Sequence, residues 1–325
     1  MKNLELSLMT TDYHRTHPLF SGAVSIEGAK LNVCPPPVQG DACYKPVYEQ
    51  FDIAEMSLSW YVMARCRGEP LIALPVFPLR MFIQPYLFCR TAAEISGPEK
   101  LKGKTIGIQQ YRITIGLWTR GILHERHGVH HAKVQWVTSE PEGAGYRVPT
   151  NVKLDLQSAD VETLLLNGEL DAVILPNIAR SFRSGDPRIH RIFADCRASV
   201  RDYFQDTGIF PITHTLVTHE RMISQHPWLC QQLVTAFSEA DRRCRLEYEY
   251  PKRFSFPTAV LLLEEEEQQF GKNPWTHGLE PNRFVLKKFI QYAHEQGYIS
   301  FEPAVDDLFA AMESRHGMFK VQPPP

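Results

Sequence analysis

The chain has 325 residues, a formal net charge of -2, 43% hydrophobic residues and 22% charged residues. That length accommodates one large domain or two lobes that each bury a core, and the composition is that of a soluble globular protein. A charge so near zero removes the electrostatic case for nucleic acid or an anionic membrane as partner, and no window reaches the roughly 18 unbroken apolar residues of a membrane span.

The N-terminus alternates polar and apolar residues, so Leu4 to Leu8 reads as a strand; with no long apolar core and no small-residue cleavage site, it is not expected to be a secretory signal. A polar loop follows at Thr10 to Arg15. Residues Ala23 to Val33 read as a hairpin turning at Glu27-Gly28, and Pro35 to Pro37 as an extended break. Phe51 to Ser57 predicts a short strand, Leu58 to Arg67 a helix, and Leu71 to Val76 a buried strand.

A charged turn at Pro98 to Lys104 introduces a strand ending at Ile108. A helix then runs from about Thr114 to His127, and its N-terminus could face an anion. Val134 to Val137 is the next strand, Val161 to Asn167 a helix closed by Gly168, and Leu170 to Leu175 a strand. Past Pro211 an apolar run carries His214 at the mouth of the β-branched strand Leu216-Val217-Thr218. Pro227 to about Glu249 and Arg283 to Glu295 are helical, the second closed by Gly297. Glu264 to Glu267 reads as a solvated helix face, and the tail Gln322 to Pro325 as frayed.

The seven cysteines (34, 43, 66, 89, 196, 230 and 244) form no C-x-x-C pair, which argues for free thiols in a reducing cytoplasm. Four histidines (His124, His127, His130 and His131) lack the framework of a metal site, and no metal is expected. No G-x-G-x-x-G or Walker loop supports a nucleotide cofactor.

Alternating strands and helices imply a mainly parallel α/β sheet with its ligand beyond the carboxyl ends of the strands. The breaks predict an outer lobe of residues 1–95 plus 214–325 and an inserted middle lobe of residues 96–213. Loops carrying Tyr13 and Arg15, Glu55 and Ser57, Arg80, Tyr111 and Arg112, Asn177, and His214 are expected to converge on one cleft.

Several strings resemble the 4,5-dihydroxyphthalate decarboxylase family, in order and over nearly the whole chain. They are Phe51 to Ser57; Phe77 to Phe82; Leu101 to Lys104 with Trp118 to Leu123; Thr207 to His214; Asn273-Pro274-Trp275 with Gly278-Leu279 and Asn282-Arg283; and Tyr292 to Gly297. The resemblance implies a two-lobed fold related to type 2 periplasmic solute-binding proteins, with the ligand between the lobes. It also implies cofactor-independent decarboxylation of an aromatic dicarboxylate. The chain departs from the family pattern at Leu79, where a serine is usual, at Ile83-Gln84-Pro85, and at Arg112. These positions neighbour the expected ligand site and bear on the exact substrate.

Loss of CO2 from a hydroxylated ring needs a proton donor at the carbon that loses the carboxylate, a base near a hydroxyl, and a cation for the carboxylate that stays. His214 is the expected donor. Glu55 would accept the hydroxyl proton or hold the His214 tautomer, the alternative being a cap on the helix from Leu58. Arg80 is the expected carboxylate clamp, with Arg15 and Arg112 as further candidates. Ser57 adjoins Glu55, Tyr111 and Thr114 flank a helix start suited to an anion, Asn177 lies in the loop after a strand, and Tyr13 or Trp118 could stack on a ring. Arg120 reads as structural.

The leading expectation is therefore a cytoplasmic, cofactor-independent decarboxylase of a hydroxylated aromatic or related cyclic carboxylic acid, with self-association into a homo-oligomer left open. The alternatives are a non-catalytic carboxylate-binding protein and a lyase acting on another cyclic carboxylate.

Overall fold

The computed structural model describes residues 4–36, 49–143 and 146–312. The tail from Gln322, Cys43 and Pro37 lie outside the described residues. The strands, in chain order, are β1 (Leu4–Met9), β2 (Ala29–Cys34), β3 (Ile53–Ser57), β4 (Leu71–Leu74), β5 (Leu87–Arg90), β6 (Thr105–Ile108), β7 (Gln135–Thr138), β8 (Lys153–Leu156), β9 (Ala172–Ile174), β10 (Ile189–Arg191) and β11 (His214–His219). They form a five-stranded sheet ordered β2-β1-β3-β11-β4 and a six-stranded sheet ordered β10-β5-β9-β6-β7-β8. In the first sheet β1 runs parallel to β2 and β3, while β11 lies antiparallel between β3 and β4.

The chain packs as two compact units. One comprises the described residues of Met1–Arg80, His214–Leu286 and Pro303–Pro325; the other is Met81–Thr213 with Lys287–Glu302. The first change of unit falls after Arg80, earlier than residue 95, because β5 pairs with β9 and β10 and so belongs to the second sheet. Residues 287–302 also pack in the second unit. Arg120 accounts for part of this, since its Nε donates to Gln296 Oε1 at 2.8 Å.

The expected hairpin at Ala23 to Val33 does not form. Val24 and Ile26 are buried as irregular chain in the first core, and β2 pairs parallel to β1, the residue partners running from Leu4↔Ala29 to Met9↔Cys34. Gly28, with φ at +84°, turns the chain into β2 rather than closing a hairpin.

Elements with strong local signals form as read. The helix Thr114–His127 ends at Gly128 in the left-handed conformation, and Val161–Asn167 at Gly168 likewise. Asp160 caps the second helix by accepting from the Glu162 and Thr163 amides at 2.9 and 3.3 Å. Helix Trp228–Glu247 buries Leu229, Leu233, Phe237 and Ala240 at helical spacing in the core of the first sheet, and Asp241 and Cys244 are buried on the same helix. Among the described residues no helix is long and apolar enough to cross a membrane.

Gly121 lets its helix meet Tyr292, where a Cβ would stand 2.2 Å from the ring Cδ2. Tyr292 is buried and cannot yield cheaply, so Gly121→Ala should destabilise the fold by on the order of 1–2 kcal/mol, overpacking exceeding the gain in helix propensity. Urea unfolding followed by circular dichroism checks this.

Candidate active site

Register explains how Glu55 and His214 meet. His214 stands opposite Ser57 and Leu216 opposite Glu55, so Glu55 and His214 are diagonal neighbours on one face of β3 and β11. His214 Nδ1 lies 2.6 Å from Glu55 Oε1. Tyr13 OH donates to the same oxygen at 2.9 Å, while Thr10 Oγ1 and the Thr11 amide donate to Oε2 at 2.6 and 3.0 Å. The Glu55 side chain is fully buried.

Burial alone would raise the Glu55 carboxyl, but the His214 hydrogen bond and charge, with those of Thr10 and Thr11, hold it below the usual carboxylate range. An ionised carboxylate only accepts, so the facing Nδ1 carries a proton. Of the two roles read for Glu55, this geometry fits the orienting one. Its carboxylate faces β11 and the Thr10–Tyr13 segment; it does not cap helix Leu58–Cys66. Ser57, at the N-cap position of that helix, is buried, with Oγ 3.4 Å from Ser59 Oγ.

The same unit carries two arginines. The Arg15 guanidinium lies over the rings of Tyr13 and Trp275, its Cζ 4.2 and 3.9 Å from their centroids, and Nε donates to the Pro78 carbonyl at 2.8 Å. Arg80 is buried; its Nη2 donates to the Thr276 carbonyl at 2.7 Å and to Asn282 Oδ1. Burial pushes Arg80 below the ordinary arginine value, Asp241 opposes that shift, and the charge of Arg15 adds to it. Burial also lowers Arg15. Tyr13 is raised, first by burial and then by the Glu55 charge, and so remains a hydrogen-bond donor to that carboxylate.

In the second unit the expected anion place before helix Thr114–His127 is taken by the chain itself. The Tyr111 and Arg112 amides donate to Glu142 Oε1 and Oε2 at 2.5 and 3.1 Å, and Arg112 Nε lies 4.0 Å from Glu142. Burial raises the Glu142 carboxyl, against the pull of those amides. Tyr111, Arg112 and Thr114 are all buried, whereas Asn177 is exposed. Trp118 is core, donating to the Ile212 carbonyl at 2.8 Å and packing on Phe289 and Tyr292. Arg120 is buried beneath Tyr111, its Cζ 3.7 Å from the ring centroid, and donates to the Tyr111 carbonyl at 2.7 Å. Of the four histidines, His131 is pushed down to about 3 by burial and then by Arg120; among the described residues no cluster could hold a metal ion.

Sequence reasoning missed Thr10, Asp241, Asn282 and Glu142 as parts of these networks. Asn282 sits in a string that carries the family resemblance, which was the available signal. Asp241 and Glu142 have no local signature, because their partners lie far away in the chain.

No family model matches the sequence. Among solved structures, the periplasmic aliphatic sulphonate binding protein SsuA from Escherichia coli aligns with a TM-score of 0.59 at 14% identity, over 99% of this chain and 96% of that one. The fold is therefore of the two-lobed periplasmic-binding-protein class. A 4,5-dihydroxyphthalate decarboxylase of Comamonas testosteroni is 31% identical over 334 aligned residues, covering 97% of this chain and 99% of the relative. Another of that name, from Pseudomonas putida, is 32% identical over 217 residues, 63% of this chain and 83% of the relative. The chain belongs to the 4,5-dihydroxyphthalate decarboxylase family and is a carboxy-lyase.

Because Glu55 lies below its unfolded value of 4.5, its ionised form stabilises the fold fully above about pH 4.5, and that contribution is lost as pH falls through the lower folded value. Glu55→Gln should thus be less stable than the native protein at neutral pH, with the gap closing in acid. Urea unfolding between about pH 2 and 7 measures the convergence; a gap independent of pH would show that the carboxylate charge is not what stabilises.

Proposed function

We propose that the protein removes one carboxylate from 4,5-dihydroxyphthalate or a close analogue in the cytoplasm, with His214 as proton donor and no cofactor. In that substrate each carboxylate is para to a hydroxyl. Protonation of the ring carbon by His214 Nε2–H gives a quinoid cation stabilised by that hydroxyl. The carbon–carboxylate bond then breaks, its electron pair restores the aromatic ring, and CO2 leaves. The product is 3,4-dihydroxybenzoate, and one proton is taken from solvent per turnover to recharge the imidazole.

Glu55 holds Nδ1–H throughout, so Nε2 is presented and the imidazolium is stabilised next to an anion. Arg80, with Arg15, holds the carboxylate that remains. Tyr13 supports both groups, as a donor to Glu55 and as a face under Arg15. The observation that carries this reading is the 2.6 Å contact between His214 Nδ1 and a wholly buried, ionised Glu55. The names of the two aligned relatives supply the substrate class.

His214→Ala should lower kcat/KM for CO2 release by about 10²–10⁴-fold, as expected for loss of a general acid. Arg80→Lys should raise KM more than it lowers kcat, since a point charge replaces a planar fork. CO2 evolution with chromatographic detection of 3,4-dihydroxybenzoate tests both. Undiminished turnover by His214→Ala would refute the assigned donor, and ligand binding without turnover by the native protein would favour the non-catalytic alternative.

A further inference from the structure

Three consecutive residues outside any helix or strand, Trp275, Thr276 and His277, hold the surroundings of both arginines. The Trp275 ring lies against Arg15, and the Thr276 carbonyl receives Arg80. His277 Nδ1 accepts the Phe77 amide at 3.0 Å, and Nε2 stands 2.9 Å from Asp241 Oδ2; the two side chains are only 3% and 5% exposed. Phe77 opens the short segment that ends in Arg80 and includes Pro78, whose carbonyl receives Arg15. Gly278 ties the same two segments again, its amide donating to the Pro75 carbonyl at 2.8 Å. Asn282 closes the loop by donating to the Thr276 and Gly278 carbonyls at 3.1 and 2.7 Å.

The imidazole is fixed by this arrangement. Accepting an amide at Nδ1 requires the ring proton on Nε2, where Asp241 faces it. A loop that needed only to fill space would use an apolar side chain here, because burying an imidazole and a carboxylate carries a desolvation cost. What the polar pair adds is orientation. The Phe77 amide has one acceptor at one place, and the segment leading to Arg80 is set by it.

We propose that His277 is a positioning residue for carboxylate recognition: with Nε2 facing Asp241 and Nδ1 accepting the Phe77 amide, it holds residues 77–80, and with them both guanidinium groups, in one arrangement suited to a carboxylate. This rests on the reading of Arg15 and Arg80 as carboxylate holders. His277 touches no reacting atom in this account, and its effect is on affinity for the anionic part of the substrate.

The test compares native, His277→Leu, His277→Asn and Trp275→Leu full-length proteins. Steady-state CO2 release from 4,5-dihydroxyphthalate gives kcat and KM. Calorimetry gives the affinities of 3,4-dihydroxybenzoate, which keeps a carboxylate, and of catechol, which has none. His277→Leu should raise KM and weaken 3,4-dihydroxybenzoate by about tenfold, with kcat within about twofold and catechol binding unchanged. His277→Asn, whose Oδ1 can stand where Nδ1 stood, should recover most of the lost affinity. An equal loss of catechol and carboxylate affinity overturns the proposal, because a merely structural histidine would give that result. An asparagine variant no better than the leucine variant overturns it too. Should His277→Leu not fold, Trp275→Leu decides the matter: a loss confined to the carboxylate ligands supports the positioning role of residues 275–277, and a loss shared with catechol refutes it. A native protein that binds 3,4-dihydroxybenzoate without releasing CO2 would refute the decarboxylation reading instead, and the binding comparison would still stand.

Discussion

One buried carboxylate organises the first unit. Glu55 has no access to solvent, so its charge is tolerable only because four donors converge on it from Thr10, Thr11, Tyr13 and His214. Each donor comes from a segment whose position the sheet dictates. β1 delivers Thr10 beside β3, the following turn brings Thr11 and Tyr13, and β11 brings His214 across the strand diagonal. The antiparallel insertion of β11 between β3 and β4 is therefore more than topology. A parallel strand in that place would enter from the other end and offer its imidazole elsewhere.

The charges beyond Glu55 follow the same rule of local compensation. Asp241 lies on the buried stripe of helix Trp228–Glu247, where an apolar residue would be expected, and it opposes the effect of burial on Arg15 and Arg80. The guanidinium groups are further supported by aromatic faces and backbone carbonyls, which satisfy donors without neutralising charge. In the second unit Glu142 does for the Tyr111 and Arg112 amides what Glu55 does for His214. The helix start that reads as an anion place in the sequence is filled by the chain's own Glu142 carboxyl.

The parts of this structure that could be read from the residues alone are those with local causes. The Thr114–His127 helix ends at a left-handed glycine, a stop that is visible in the residue types. Glu55, His214 and Arg80 stand out because ionisable groups interrupt apolar runs, and such interruptions are costly unless used or paired. The Ala23 to Val33 stretch misled because its alternation records burial of Val24 and Ile26 under the sheet, which irregular chain achieves as well as a hairpin arm does. The end of the first unit was misplaced because β5 carries no mark of the sheet it joins; its antiparallel partners lie about a hundred residues away at β9 and β10. Asp241 and His277 escaped for the same reason, since neither has a local partner.

The fold by itself does not separate a binder from an enzyme, because the alignment to a sulphonate-binding protein at 14% identity carries only the chain's path. The distinction rests on chemistry that holding an anion does not require. Arginines over aromatic faces suffice to bind a carboxylate, and a binding protein would gain nothing from an imidazole locked in one tautomer by a desolvated glutamate. A proton-transfer step gains much from it. In the proposed reaction the fixed Nδ1–H would keep Nε2 as the exchanging atom, and the adjacent anion would stabilise the imidazolium needed before the ring is protonated. Anion binding alone gives no reason for a buried carboxylate that fixes an imidazole, whereas the proposed proton transfer, in a chain of a decarboxylase family, gives one.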